Sequence, residues 1–116
     1  MQNKAGEFVT PSLESVTAAA ASLANDMPED FRVSTTNAPG PNAYPISGMT
    51  WLLVYQKQRD PEKGKKLVGF LEWMLKDGQK AAPEQHYAPL PAAVATKAHA
   101  SLAKITPSDG KPILGN

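Results

Sequence analysis

The chain has 116 residues, no cysteine and a net charge of +1 at neutral pH. That length suits one small domain. The missing cysteines exclude a disulfide framework and every thiolate metal site, and the near-neutral charge gives no reason to expect nucleic acid or an anionic membrane as partner.

The longest apolar run, Trp51 to Tyr55, is five residues, far short of a bilayer span. No basic, apolar and small-residue series opens the chain, so no signal peptide is expected in it. Charge is uneven: residues 1–56 carry a net of −3 and residues 57–116 a net of +4. The basic excess begins at Lys57, Arg59, Lys63, Lys65 and Lys66, where Asp60 and Glu62 dilute it, and reads as the solvated start of a helix. Eleven prolines and eight glycines crowd three stretches, Pro39 to Pro45, Pro83 to Pro91 and Pro107 to Gly115. Each breaks regular structure, because proline lacks an amide donor and fixes φ.

The first helix is expected from Pro11, capped by Thr10, with Leu13, Val16, Ala20 and Leu23 on one face and fraying near Asn25. Residues 26–45 read as a loop. Within it Arg32 to Thr36 holds β-branched residues but little apolar bulk, which predicts at most a short strand. Ile46 to Tyr55 is different. Met49, Trp51, Leu52, Leu53, Val54 and Tyr55 lack the apolar–polar alternation of a half-buried strand. The run predicts a strand buried on both faces, central in a sheet. Such a strand needs neighbours that the rest of the chain does not supply.

The second helix is the clearest. Asp60 caps it, Pro61 takes its first position and Glu62 favours the positive end of its dipole. Leu67, Phe70, Leu71, Met74 and Leu75 form a broad apolar stripe, widened by Val68 and Trp73. Gly78 stops this helix or allows a short continuation through Ala82. A third helix is expected from Pro91 to Lys104, with Val94, Ala98, Leu102 and Ile105 on one face. Ser108-Asp109-Gly110 is a turn signal, and the tail beyond it is expected to be loosely held.

No motif for chemistry emerges. There is no GxGxxG, GxxxxGK[ST] or GxSxG, and Gly64-Lys65-Lys66 lacks the glycine and hydroxyl of a phosphate loop. His86 and His99 lie 13 residues apart without paired ligand spacing, so no metal site and no cofactor are expected. Trp51 and Trp73 read as core packing. No catalytic constellation is present, and an enzyme is not expected. The residues define an α+β polypeptide of about three helices, one long apolar strand and one further short strand.

Three stretches taken together carry a resemblance. They are Asn37-Ala38-Pro39-Gly40 leading through Ala43-Tyr44-Pro45-Ile46-Ser47 to Trp51-Leu52-Leu53-Val54-Tyr55; then Gly64 and Leu67 through Phe70-Leu71-Glu72-Trp73 to Asp77-Gly78-Gln79-Lys80; then Tyr87-Ala88-Pro89-Leu90-Pro91. With Lys4-Ala5-Gly6, Val9 to Ser15 and Ser108 to Pro112, this series resembles the C-terminal part of the phosphate-binding protein of bacterial phosphate ABC importers, a type II periplasmic binding protein.

The resemblance implies a C-terminal fragment of a two-lobed, hinged fold. Residues 1–42 would be a piece of the second lobe with the hinge connector, and residues 43–116 the C-terminal piece of the first lobe. It implies a solute-binding component that captures inorganic phosphate and delivers it to membrane permease subunits, with the parent protein in the periplasm or cell envelope. In such proteins helix N-termini and an arginine hold the oxyanion and an aspartate accepts from protonated phosphate. The segments that supply them in the family are not matched here, and Ser47, Thr50 and Arg32 do not fit its ligand motifs. No phosphate-binding residue is therefore expected in this chain, which alone should not bind phosphate. The alternative is a standalone structural or interaction domain that self-associates and binds no solute. Either way, the unpartnered run leads to the expectation of a homodimer through Ile46 to Tyr55 or by exchange of the first helix.

Overall fold

The computed structural model describes residues 1–108 and 113. In chain order it contains helix α1 (Leu13–Ala21), strand β1 (Lys57–Gln58), helix α2 (Pro61–Leu75), helix α3 (Ala92–Ser101) and strand β2 (Thr106–Pro107). The α+β class and the three helices agree with the sequence reading.

Helix α2 forms where the sequence places it. Asp60 Oδ1 accepts from the amides of Glu62 and Lys63 at 3.0 and 3.1 Å, and Pro61 opens the first turn where a missing donor is harmless. The helix ends at Leu75, and Asp77–Ala81 continues as a 3-10 turn. Helix α1 begins two residues later than expected. Ser12, not Thr10, is the cap, because Ser12 and Ser15 form a reciprocal capping box. Helix α3 runs close to its expected span and tightens into a 3-10 turn at Leu102–Lys104.

The strands depart from expectation. Ile46 to Tyr55 forms no strand, and Leu53 is 97% exposed. Arg32 to Thr36 forms none either. A strand's amides and carbonyls point sideways and need a neighbouring chain, and none runs beside 46–55 in a ladder. Phe31 and Asn37, at φ 60 and 51, bracket the other candidate with left-handed turns. The two segments do lie side by side. Asn37 N–H donates to the Pro45 carbonyl at 2.7 Å, Thr36 Oγ1 to that of Ser47 at 3.2 Å, and Trp51 Nε1 to that of Phe31 at 2.8 Å. The sheet consists instead of β1 and β2, parallel, with Lys57 opposite Thr106.

Burial is divided between two clusters. Val68, Leu71, Leu102 and Ile105 form one, with Val54, Leu67, Met74, Leu75 and Ile113 packed on it. Ala19, Ala38 and Ala43 form the other, with Leu23 beside them. Gly64 lets α2 approach β1, since a Cβ there would sit 3.0 Å from Gln58 Cβ and 2.9 Å from Ile113 Cδ1. Polar ties join the two halves: Thr17 Oγ1 donates to the Pro89 carbonyl at 2.9 Å, Lys104 pairs with Glu29 at 2.8 Å, and the Lys97 ammonium donates to the Met27 carbonyl.

The chain is elongated, 52 × 28 × 20 Å, with a radius of gyration of 16.1 Å, where a compact chain of this length has about 13 Å. Its accessible surface is 7979 Å², against about 6,100 Å² for a folded monomer of this mass. Trp51, Trp73 and Phe70, expected in the core, are each about half exposed. The structure leaves apolar surface that these elements cannot cover among themselves. Of the expected turn and tail, residues 109–112 and 114–116 lie outside the described residues.

Candidate functional site

Polar side chains gather most closely around the first turn of α1. Asn3 is buried, and its amide Nδ2 donates to the carbonyls of Gly40, Pro41 and Ala43 at 2.8–3.2 Å. Its Oδ1 accepts from the amides of Ala5 and Glu7, each at 3.0 Å. One side chain thus closes the N-terminal turn and pins the Pro39-Gly40-Pro41 connector. Tyr44 N–H adds a bond to the Ser15 carbonyl at 3.0 Å. Between α1 and the pinned connector lies an open cleft of about 380 Å³, lined by Val9, Thr10, Ser12, Glu14, Ser15, Ala18 and Asn42.

This cleft sits at a helix N-terminus, the usual place for an oxyanion, but the two serines of the cap are engaged. Ser12 and Ser15 cap each other, and Ser15 Oγ also donates to the Thr10 carbonyl at 2.9 Å. The Glu14 carboxyl is held below the usual range by its own backbone amide and the Ser12 hydroxyl. Its negative charge lines the cleft and would repel phosphate, and among the described residues no cationic side chain lines it. Chemically this is a closed helix cap.

A second cleft of about 270 Å³ lies between α2 and α3, lined by Leu75, Lys76, Ala95, Thr96 and His99. Glu72 meets Lys76 Nζ at 2.8 Å and His99 Nε2 at 3.3 Å. The Lys76 hydrogen bond, then that of His99, holds the Glu72 carboxyl below its ordinary value. The local positive charge is neutralised, so this cleft also lacks the free cation an anion site needs.

The residues weighed from the sequence do not converge on a ligand. Arg32 stacks its charge on Asp30 at 2.7 Å and is exposed. Ser47 is buried, and its hydroxyl donates to the Tyr44 carbonyl at 2.7 Å. Thr50 is exposed. His86 sits in a left-handed turn at φ 60. Among the described residues no group of three or more acidic or histidine side chains could hold a metal ion. Thr35 Oγ1 is buried without a hydrogen-bond partner and lines neither cleft. Asn3 and the Ser12–Ser15 pair escaped the sequence reading. The Ser-x-x-Ser spacing was a visible signal for the cap, whereas the reach of Asn3 across some forty residues has none.

No protein-family model matches the chain. Curated relatives do, and the class they define is that of phosphate-binding proteins. The relatives are proteins named PstS. That of Pasteurella multocida is 37% identical over 114 residues, covering 97% of this chain and 33% of the relative. That of Xylella fastidiosa strain Temecula1 is 40% identical over 91 residues, or 78% and 25%. That of the archaeon Methanocaldococcus jannaschii is 41% identical over 100 residues, or 77% and 25%. The resemblance read from the residues therefore holds: the chain belongs with the PstS phosphate-binding proteins and spans a quarter to a third of their length.

Proposed function

We propose that this chain works as part of the solute-binding component of an ABC importer, one that captures inorganic phosphate outside the cell membrane and delivers it to permease subunits. The observation that carries the reading is the identity of 37–41% to PstS proteins over most of the chain. The role is one of binding, not catalysis, with its setting in the periplasm or cell envelope. Residues 1–42 belong to one lobe and its connector, and residues 43–116 to the other, as the C-terminal portion of the protein.

The chain alone does not bind phosphate in this reading. In support, the Ser12 and Ser15 hydroxyls at the first cleft and the Lys76 and His99 side chains at the second are engaged by the chain's own groups. The ligand-bearing segments belong to the remaining length of a PstS-type protein.

A chimera tests this. The matching third of the Pasteurella PstS protein is replaced by this chain, and phosphate is titrated calorimetrically into the chimera and into the chain alone. The chimera is expected to bind with a dissociation constant in the micromolar range or tighter, about −8 kcal/mol or better, and the chain alone to give no specific heat. A folded chimera that fails to bind would sink the importer reading. Micromolar binding by the chain alone would sink the claim that its site lies elsewhere. A second reading, a self-associating interaction domain, is favoured by one specific observation, the solvent exposure of Leu52, Leu53 and Tyr55.

A further inference from the structure

Asn3 commits its whole side chain to backbone groups. Its Oδ1 accepts from the amides of Ala5 and Glu7 inside an N-terminal hairpin that Met1 and Val9 close with bonds of 2.9 and 3.0 Å. Its amide nitrogen donates to the carbonyls of Gly40, Pro41 and Ala43 at 3.1, 2.8 and 3.2 Å. Asn3 is only 6% exposed, so these groups have little water to turn to instead.

A carbonyl held in place fixes the plane of its peptide bond. The planes following Gly40, Pro41 and Ala43 are held in this way. The last is held a second time, because Tyr44 N–H donates to the Ser15 carbonyl at 3.0 Å. Pro39, Pro41 and Pro45 fix φ on their own. Gly40, at φ 119, takes a conformation that side chains rarely adopt. The connector is therefore stiff through Tyr44 and fastened to α1. Beyond it the ties thin out: among the described residues, none of 46–55 takes part in a backbone–backbone hydrogen bond.

We propose that Asn3 is a positioning residue for phosphate binding, one that sets where the α1 half ends and where movement against the α2–α3 half begins. The inference rests on the reading of this chain as part of a PstS-type protein. Closing two lobes on a ligand removes the other orientations they could take, and that lost entropy opposes binding. A hinge needs a few residues that absorb the change in φ and ψ. The Asn3 amide keeps residues 40–44 out of that set and so narrows the orientations before phosphate arrives. Asn3 touches no ligand itself, since both ends of its amide are occupied by backbone.

The Pasteurella chimera carries the test. Asn3→Asp keeps an oxygen for the amides of Ala5 and Glu7, but turns a second oxygen on the three carbonyls and so releases the connector. Titrated with phosphate well below its melting temperature, this variant is expected to bind about fivefold more weakly or worse. Amide exchange should quicken at Tyr44 and stay unchanged at Ala5 and Glu7. Distances between spin labels on the two lobes should spread more widely in the phosphate-free protein. Gly40→Ala has room for its Cβ, 3.5 Å from Ser22 Cβ, but strains φ. It disturbs the connector without touching the buried amide, is expected to weaken binding in the same direction, and decides the matter if Asn3→Asp does not fold. Unchanged phosphate affinity in the folded variant overturns the proposal and leaves the PstS reading standing, even where the melting temperature falls, because a purely structural tie does that much. Exchange that quickens equally at Tyr44, Ala5 and Glu7 also overturns it, since hairpin and connector would then open as one. An unsubstituted chimera that folds and binds no phosphate overturns the PstS reading, and the proposal with it.

Discussion

Residues 67–75 and residues 46–55 are close in composition, with seven apolar residues of nine in the first and seven of ten in the second. In the first, Val68 and Leu71 are 2% and 8% exposed; in the second, Leu53 and Tyr55 are 97% and 87% exposed. The contrast lies in backbone chemistry. A helix satisfies its own amides and carbonyls, so α2 needs only one covering surface, and Leu102 and Ile105 supply it. An extended run leaves its polar backbone groups to neighbouring strands. The nearest strand here, β2, pairs only at Lys57–Gln58. A portion of a larger fold can therefore complete a helix-centred core while leaving a sheet-centred one open.

The contrast breaks most simply by shortening one leucine in each region. Leu71→Ala is expected to cost about 2–5 kcal/mol, as for a buried leucine. Leu53→Ala, at a nearly bare position, is expected to stay within about 0.5 kcal/mol. Urea melts at a dilution where the chain is monomeric give both numbers. Equal midpoints would mean that the α2 stripe is not the core, or that the 46–55 run is covered in solution.

Asn3 sharpens the comparison from the polar side. The chain entering the exposed run is held at Gly40, Pro41 and Ala43 by one amide, beside the small apolar cluster of Ala19, Ala38 and Ala43. Asn3→Ala leaves those carbonyls with fewer partners and is expected to cost about 1–3 kcal/mol. Amide exchange should rise at Ala5 and Glu7, whose N–H groups lose their acceptor, and stay unchanged in α2. A uniform rise across both regions would show that the connector and α2 open together.

Much of the helical architecture was legible because its signals are local. Asp60-Pro61-Glu62 announces the start of α2, and Val94, Leu102 and Ile105 announce the buried side of the third helix. The first cap was misplaced by two residues because Thr10 and Ser12 are both good caps, and only the reciprocal bond from Ser15 separates them. The composition of 46–55 suits a strand, but composition reports what a segment is suited to and not whether its neighbours are present. The same limit applies to Trp51 and Trp73, whose apolar surroundings in the sequence suit them to a core. Both are half exposed, Trp73 stacking on Phe70 with ring centres 5.9 Å apart. The candidate site is least legible, since the bond that closes it, from Asn3 to Ala43, joins residues 40 positions apart.

The smallest expected effect concerns the polar seam of the buried region. Glu72 bridges Lys76 on its own helix and His99 on α3, so it ties the two helices whose apolar sides meet at Leu71. Its carboxyl is held below the ordinary value of 4.5, first by Lys76 and then by His99. A carboxyl with a lowered folded pKa stabilises the fold above its unfolded pKa, and that contribution is lost as pH falls through the folded value. Glu72→Gln should therefore lower the melting temperature slightly at about pH 7, and the difference should close as pH falls through the folded value and the carboxyl takes up its proton. The pair is partly exposed and is screened by salt, so the difference should also shrink in about 1 M sodium chloride. Leu71→Ala should keep most of its penalty through both changes, because apolar burial carries no proton. If the Glu72→Gln difference persisted unchanged at low pH, the seam would be acting through packing, and the distinction between the charged and apolar ties of α2 to α3 would fail.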